Sequence, residues 1–187
     1  MQRITMFGLA LVAAYAVVAV SAVSVSASGH EFYASKTGKV KTKATDAQIF
    51  KTSAGTLECT EVTGTGEIKE GKSISHKETL TYSGCSAFGG KVSITPAHFE
   101  FNANGSARLE KQVIITPIGE GCEILLEPQT VEGMGYANKS GGKVEATADA
   151  YKIRLVGTGG ACGGESNEAT YSGSMLGELE GGTIEWK

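Results

Sequence analysis

The stretch GTLECTEVTGTGEIKEGKSISHKETLTYSGC, from Gly55 to Cys85, restricts this chain more than any other part of it. Ile74, His76, Glu78, Leu80 and Tyr82 alternate with Ser75, Lys77, Thr79 and Thr81. That period is two, the repeat of a strand with one face turned inward, and not the 3.6 of a helix. Upstream, Leu57 and Cys59 share one face, with Glu58 and Thr60 on the other. Gly71–Lys72 reads as the turn of a long hairpin, and Gly64–Thr65–Gly66 as a bulge or bend within it. A cysteine near each outer end places Cys59 opposite Cys85.

The rest of the chain repeats this style. QIFKT from Gln48 reads as a buried strand. In AHFEFNA, residues Ala97, Phe99, Phe101 and Ala103 face inward, and Asn104–Gly105 is a strong two-residue hairpin signal. CEILLE, KVEATA and YKIRLVG follow, the last with Tyr151, Ile153 and Leu155 inward, while Pro128 to Tyr136 reads as irregular. The 26 glycines fall between alternating runs, where turns need positive φ. No segment combines helix caps with a sustained apolar stripe. TYSGC at Tyr82 and TYSGS at Tyr171 form an internal echo, which places these two tyrosines in similar positions if an old duplication lies behind it. The expected fold is all-β: one antiparallel β-sandwich or irregular β-barrel over residues 28–187.

Residues 1–27 read as a signal peptide. Arg3 precedes an apolar run of about 17 residues, slightly short of a membrane span, and Val25 and Ala27 have the spacing of a signal-peptidase site. Cleavage is placed after Ala27, with Ala22 and Gly29 as alternatives and an uncleaved anchor as the rival reading. Once the signal is removed, no membrane span is expected. In an exported chain an even cysteine count indicates disulfides. Of three connectivities, Cys59–Cys85 and Cys122–Cys162 are favoured because each staples one half of the chain. A zinc site fits poorly, since there is neither a CxxC spacing nor a neighbouring histidine pair.

HEFYAS near the mature start, QIFKTSAGTLECT, TLTYSGCSAFG, FEFNANG, GCEILLE and the terminal TYSGS…GGTIEW together resemble a large group of secreted actinobacterial all-β proteins with four cysteines and no known function. The resemblance covers nearly all of the mature chain. It implies export and a disulfide-bonded β fold, and it carries over no catalytic residue, ligand or partner.

The net charge is −3, with acid and base interspersed. A nucleic-acid binder would show a basic face, so none is expected as a partner. Asp46 and Asp149, the two aspartates, are too isolated in sequence for a calcium loop. GTGGACGG, from Gly157, lacks the Lys-Ser/Thr of a phosphate loop and reads as a disulfide-bearing turn. No cofactor is expected. Asn104 and Asn138 begin glycosylation sequons that read as unmodified turns. His30 lies at the terminus and His98 on a polar strand face. Glu61, His76 and Glu78 form the one constellation with catalytic chemistry: a carboxylate buried on an apolar face has a raised pKa, and histidine can serve as a base. Against it stands a polar patch on a strand. Trp186 reads as closing the core from the last strand. The expectation is a non-enzymatic secreted or envelope-associated domain with an unknown extracellular ligand. The rivals are a hydrolase using Glu61, His76 or Glu78, and a secreted inhibitor or effector acting through the loop at 157–164.

Overall fold

The computed structural model describes residues 29–187 apart from 88, 120, 160, 161 and 163. The expected signal segment lies outside these residues, and part of the loop at 157–164 does as well. The described chain forms sixteen strands: β1 (Phe32–Ala34), β2 (Gly38–Ala44), β3 (Gln48–Thr52), β4 (Gly55–Ile68), β5 (Gly71–Ser73), β6 (Ser75–Ala87), β7 (Gly90–Ile94), β8 (Ala97–Asn102), β9 (Ser106–Leu109), β10 (Val113–Pro117), β11 (Glu123–Leu126), β12 (Gln129–Glu132), β13 (Met134–Lys139), β14 (Lys143–Thr158), β15 (Gly164–Leu179) and β16 (Ile184–Trp186). Among the described residues no helix is long and apolar enough to cross a membrane.

The opening hairpin is β4 against β6, paired antiparallel from Leu57–Ala87 to Glu67–Lys77 without a register shift. Cys59 sits opposite Cys85 and is bonded to it, and Cys122 is bonded to Cys162. Closing loops of 26 and 40 residues in the unfolded chain is worth about 3–4 kcal/mol each in the chain-entropy model. The expected bulge at Gly64–Gly66 is absent, because these glycines serve a different purpose. They lie in regular strand opposite Leu80 and Glu78. A Cβ on Gly64 would come within 2.6 Å of Leu80 and 2.7 Å of the Glu78 carboxylate, and one on Gly66 within 2.1 Å of the Lys77 carbonyl oxygen. The missing side chains let Glu78 and Leu80 lie across the neighbouring strand.

The sheet closes on itself. Hydrogen bonding runs β3–β4–β6–β7–β10–β11–β14–β15 and returns to β3, an eight-membered ring. The architecture is therefore the barrel of the two expected alternatives. Closure leaves the ring itself without exposed edges that would otherwise recruit other strands. The long strands β4, β6, β14 and β15 run through two tiers. In one tier β7, β10 and β11 span the wall between β6 and β14. In the other, β8, β9 and β12 leave β6 along the same side. No backbone ladder joins β12 to β14. The Gln129 side-chain amide does so instead, donating to the Arg154 carbonyl and accepting from the Arg154 N–H, both at 2.8 Å. Pro128 to Tyr136, expected to be irregular, thus contributes β12 and half of β13, and β13 pairs with β14.

A three-stranded sheet, β16–β1–β5, forms a cap. The expected hairpin turn at Gly71–Lys72 is β5 in this cap, paired with β1. Its departure from the hairpin leaves Ile74 exposed rather than inward. The first and last strands meet here, with Glu31 and Lys187 exchanging backbone hydrogen bonds. His30 stacks on Trp186 at 4.0 Å, so it is docked. Trp186 packs on a second core cluster that includes Phe32, Ile68, Tyr136 and Ile184, and its indole N–H donates to the Ala103 carbonyl. Asn138 behaves as Gln129 does: its amide pairs with the backbone of Trp186 on both sides. Tyr151, expected inward, is 52% exposed. A register shift on β14 between Ala150 and Ile153, with Lys152 at φ 56°, rotates it outward.

Candidate functional site

The barrel interior contains a cavity of about 100 Å³ in the main core cluster. Phe50, Leu57, Leu80, Phe101, Ile115 and Ile153 form buried parts of its wall, and half-buried Ile94, Phe99, Leu126, Val131 and Met134 complete it. Small side chains, Ala97, Ala107 and Ala150, leave the space unfilled. These residues come from both tiers, so the cavity lies where β7 hands over to β8, β9 to β10 and β11 to β12.

Four polar side chains break the apolar lining: Gln48, Tyr82 and Tyr171, and Gln129, whose amide is engaged by the backbone of Arg154. Gln48 is 1% exposed and packs against Gly173, where a Cβ would collide with its amide. Its amide nitrogen donates to the carbonyls of Asp46 and Ser174, both at 3.0 Å. Its oxygen accepts from the Tyr171 hydroxyl at 2.6 Å. Tyr82 and Tyr171 both line this cavity. Burial pushes the Tyr82 phenol up to about 12, with Tyr171 partly opposing the shift. Burial, with Tyr82 and Asp46 close by, lifts Tyr171 well above the ordinary phenol range. The sequence echo at TYSG thus has a spatial counterpart, since the two tyrosines face one cavity. Gln48 was missed as a site residue. Its only signal was an amide at the start of an apolar strand.

Of the three candidates Glu61, His76 and Glu78, the structure brings two together. His76 Nε2 and Glu78 Oε1 are 2.8 Å apart, with side chains 9% and 3% exposed. They lie beneath the cap: Phe32 meets the His76 ring edge-on at 4.8 Å and Tyr136 meets Phe32 at 5.0 Å. With Thr42 and Tyr136 they line a second cavity of about 30 Å³. Thr42 Oγ1, His76 Nδ1, Glu78 Oε2 and the Tyr136 hydroxyl are buried without a protein partner among the described residues. Burial, reinforced by the nearby Glu78, pushes the Tyr136 phenol upward. Glu61 stands apart on the exposed face and accepts from Ser83 at 3.1 Å.

No protein-family model matches the sequence, and neither a curated protein nor a solved structure matches the chain.

Asp46 and Asp149, remote in sequence, line one shallow outer groove with Ser172 and Gly173. Asp46 is engaged there by the Ser174 N–H at 2.6 Å. Among the described residues no three His, Cys, Asp or Glu side chains group in a way that could hold a metal. Asn104 and Asn138 both have structural tasks. Asn104 accepts from Ser106 at the β8–β9 turn, and Asn138 pairs with Trp186.

Proposed function

We propose that this chain is a secreted, non-enzymatic binding protein that takes a small apolar molecule into its barrel. The observation that carries the reading is the cavity of about 100 Å³, lined mostly by aliphatic and aromatic side chains with few polar groups. Small-molecule sites have this character: largely apolar, preformed, with few oriented polar groups. Barrels of about eight strands leave room for side chains or one small ligand. A cavity of about 150 Å³ with a similar lining takes up benzene, so the fitting ligand is slightly smaller, or is the apolar end of a larger one. Two disulfides suit an oxidising compartment, and export and membership of the secreted actinobacterial group rest on the sequence motifs. A hydrolase built on His76 and Glu78 is disfavoured by their place beneath Phe32, and Glu61 cannot join them from the outer face.

The test is thermal unfolding in the presence of small hydrocarbons. A ligand that binds only the folded state raises the midpoint as its concentration passes its Kd. Saturating 2-methylpropane is expected to raise the midpoint of the oxidised protein, and Ala107→Leu, which fills the cavity, is expected to abolish that rise while the protein stays folded. An equal rise in both proteins would sink the reading.

A further inference from the structure

We propose that the mature N-terminus, Ser28-Gly29-His30, binds Cu(II) or Ni(II) through four nitrogens in a square plane: the Ser28 α-amine, the backbone nitrogens of Gly29 and His30, and His30 Nδ1. The inference rests on export, as proposed above, and is independent of the cavity. It joins the cleavage position expected after Ala27 to the way the structure docks His30.

Signal removal after Ala27 leaves a free amine on Ser28, with the histidine third in the mature chain. In that register each nitrogen is tied to the next through a small chelate ring, and the fused rings hold the donors in one plane. Cleavage after Ala22 or Gly29 breaks the register, so the site belongs to one mature form alone. Planar nitrogen donors suit Cu(II) and Ni(II), whereas Zn(II) prefers a tetrahedron. Binding releases protons. The Gly29 and His30 amides each give one to solvent, as does the amine where it is protonated, and a divalent ion with two amide anions makes a neutral unit. The site needs a single side chain, because the backbone supplies the other donors.

Three of the donors lie in described residues, and none of the three is committed elsewhere. Neither the Gly29 nor the His30 N–H donates to a described residue, and the backbone exchange with Lys187 begins only at Glu31. His30 Nδ1 is buried without a partner among the described residues. Gly29 is exposed, and no atom lies within 4 Å of where its Cβ would stand, which leaves an approach open from that side. His30 is held meanwhile by its stack on Trp186, with ring centroids 4.0 Å apart and planes within 11°. Stacking uses the face of the imidazole, and a metal lies in the ring plane beyond Nδ1. The two contacts are therefore compatible, and they set the metal beside the one tryptophan of the chain.

The experiment takes the exported, oxidised protein, reads its first residue by mass spectrometry, and titrates it with CuSO4 or ZnSO4 while following Trp186 fluorescence. The expected result is a chain that begins at Ser28, quenching that saturates at one Cu(II) per chain with the electron-paramagnetic signature of equatorial nitrogens, and no quenching by Zn(II). His30→Ala is expected to weaken Cu(II) binding by at least roughly 100-fold, the upper cost of losing even an outer-shell partner of a metal. A chain with one extra alanine before Ser28 keeps His30 and its stack but breaks the register, and is expected to lose binding to the same extent. Equal Cu(II) affinity in the extended chain would reveal an ordinary surface histidine and overturn the proposal. A mature chain that starts anywhere but Ser28 would overturn it as well. Neither result bears on the cavity.

Discussion

At the residue scale, the interior is organised by side chains that are present and by others that are missing. Glu78 is buried because Gly64 and Gly66 leave space across the strand and because His76 pairs with it. Gly66→Ala is therefore expected to destabilise the protein by about 3 kcal/mol, read as a lower urea midpoint. Gly64→Ala should cost less, since what it meets first is the flexible ends of Leu80 and Glu78. The buried tyrosines set a pH limit. Tyr82 holds its proton up to about 12, whereas in the unfolded chain it releases it near 10. Between these values the folded state binds more protons than the unfolded one. Stability is thus fully present below pH 10 and falls as the pH rises towards 12. Urea melts at pH 9 and 11 should show this fall, and Tyr82→Phe should lessen it, with Tyr171 and Tyr136 supplying the remainder. The alternation of Glu78, Leu80 and Tyr82, and the facing of Cys59 and Cys85, were legible because they follow from local strand geometry. The use of Gln48 was not legible, because its partners, Tyr171 and Ser174, lie on a strand more than a hundred residues away.

At the element scale, the wall contains one join made by a side chain. β12 reaches β14 through the Gln129 amide, and Gln129, Val131 and Met134 all line the cavity. Gln129→Ala removes both bonds. It is expected to cost about 1–2 kcal/mol and to speed hydrogen exchange at Arg154 and along β12 by at least tenfold, while β4 and β6 keep their protection. Uniform exchange across all strands would contradict the role of this join. The sequence of this region carried no such message. A glutamine after a proline looks like loop, and only the gap in the β14 ladder gives its amide a task. Tyr151 was misplaced for a similar reason. The register shift at Lys152 occurs without a glycine to mark it, so alternation was carried through a point where the strand turns its faces over.

At the scale of the molecule, the first and last strands form the cap. β1 and β16 lie side by side over His76 and Glu78, and with β5 they seal the second core cluster. Ending the chain after Gly182 removes Ile184 and Trp186, and this is expected to cost roughly 3–5 kcal/mol from lost burial, with fluorescent-dye binding to the uncovered Phe32 surface as a second readout. All-β class, the disulfide pairs and a barrel-or-sandwich architecture were readable, because each rests on local patterning or on cysteine arithmetic. Ring closure was not. It depends on pairings such as β15 with β3 and β11 with β14, which join strands far apart in sequence, and no local signal specifies them. The cavity follows from that closure, and so does the account of function. The most direct test is methyl NMR of the oxidised protein titrated with 2-methylpropane. The account predicts saturable shifts at Leu80, Ile115, Ile153 and Met175, with exposed Ile74 and Ile118 unmoved. Shifts at Ile74 or Ile118 with the interior methyls silent would contradict it.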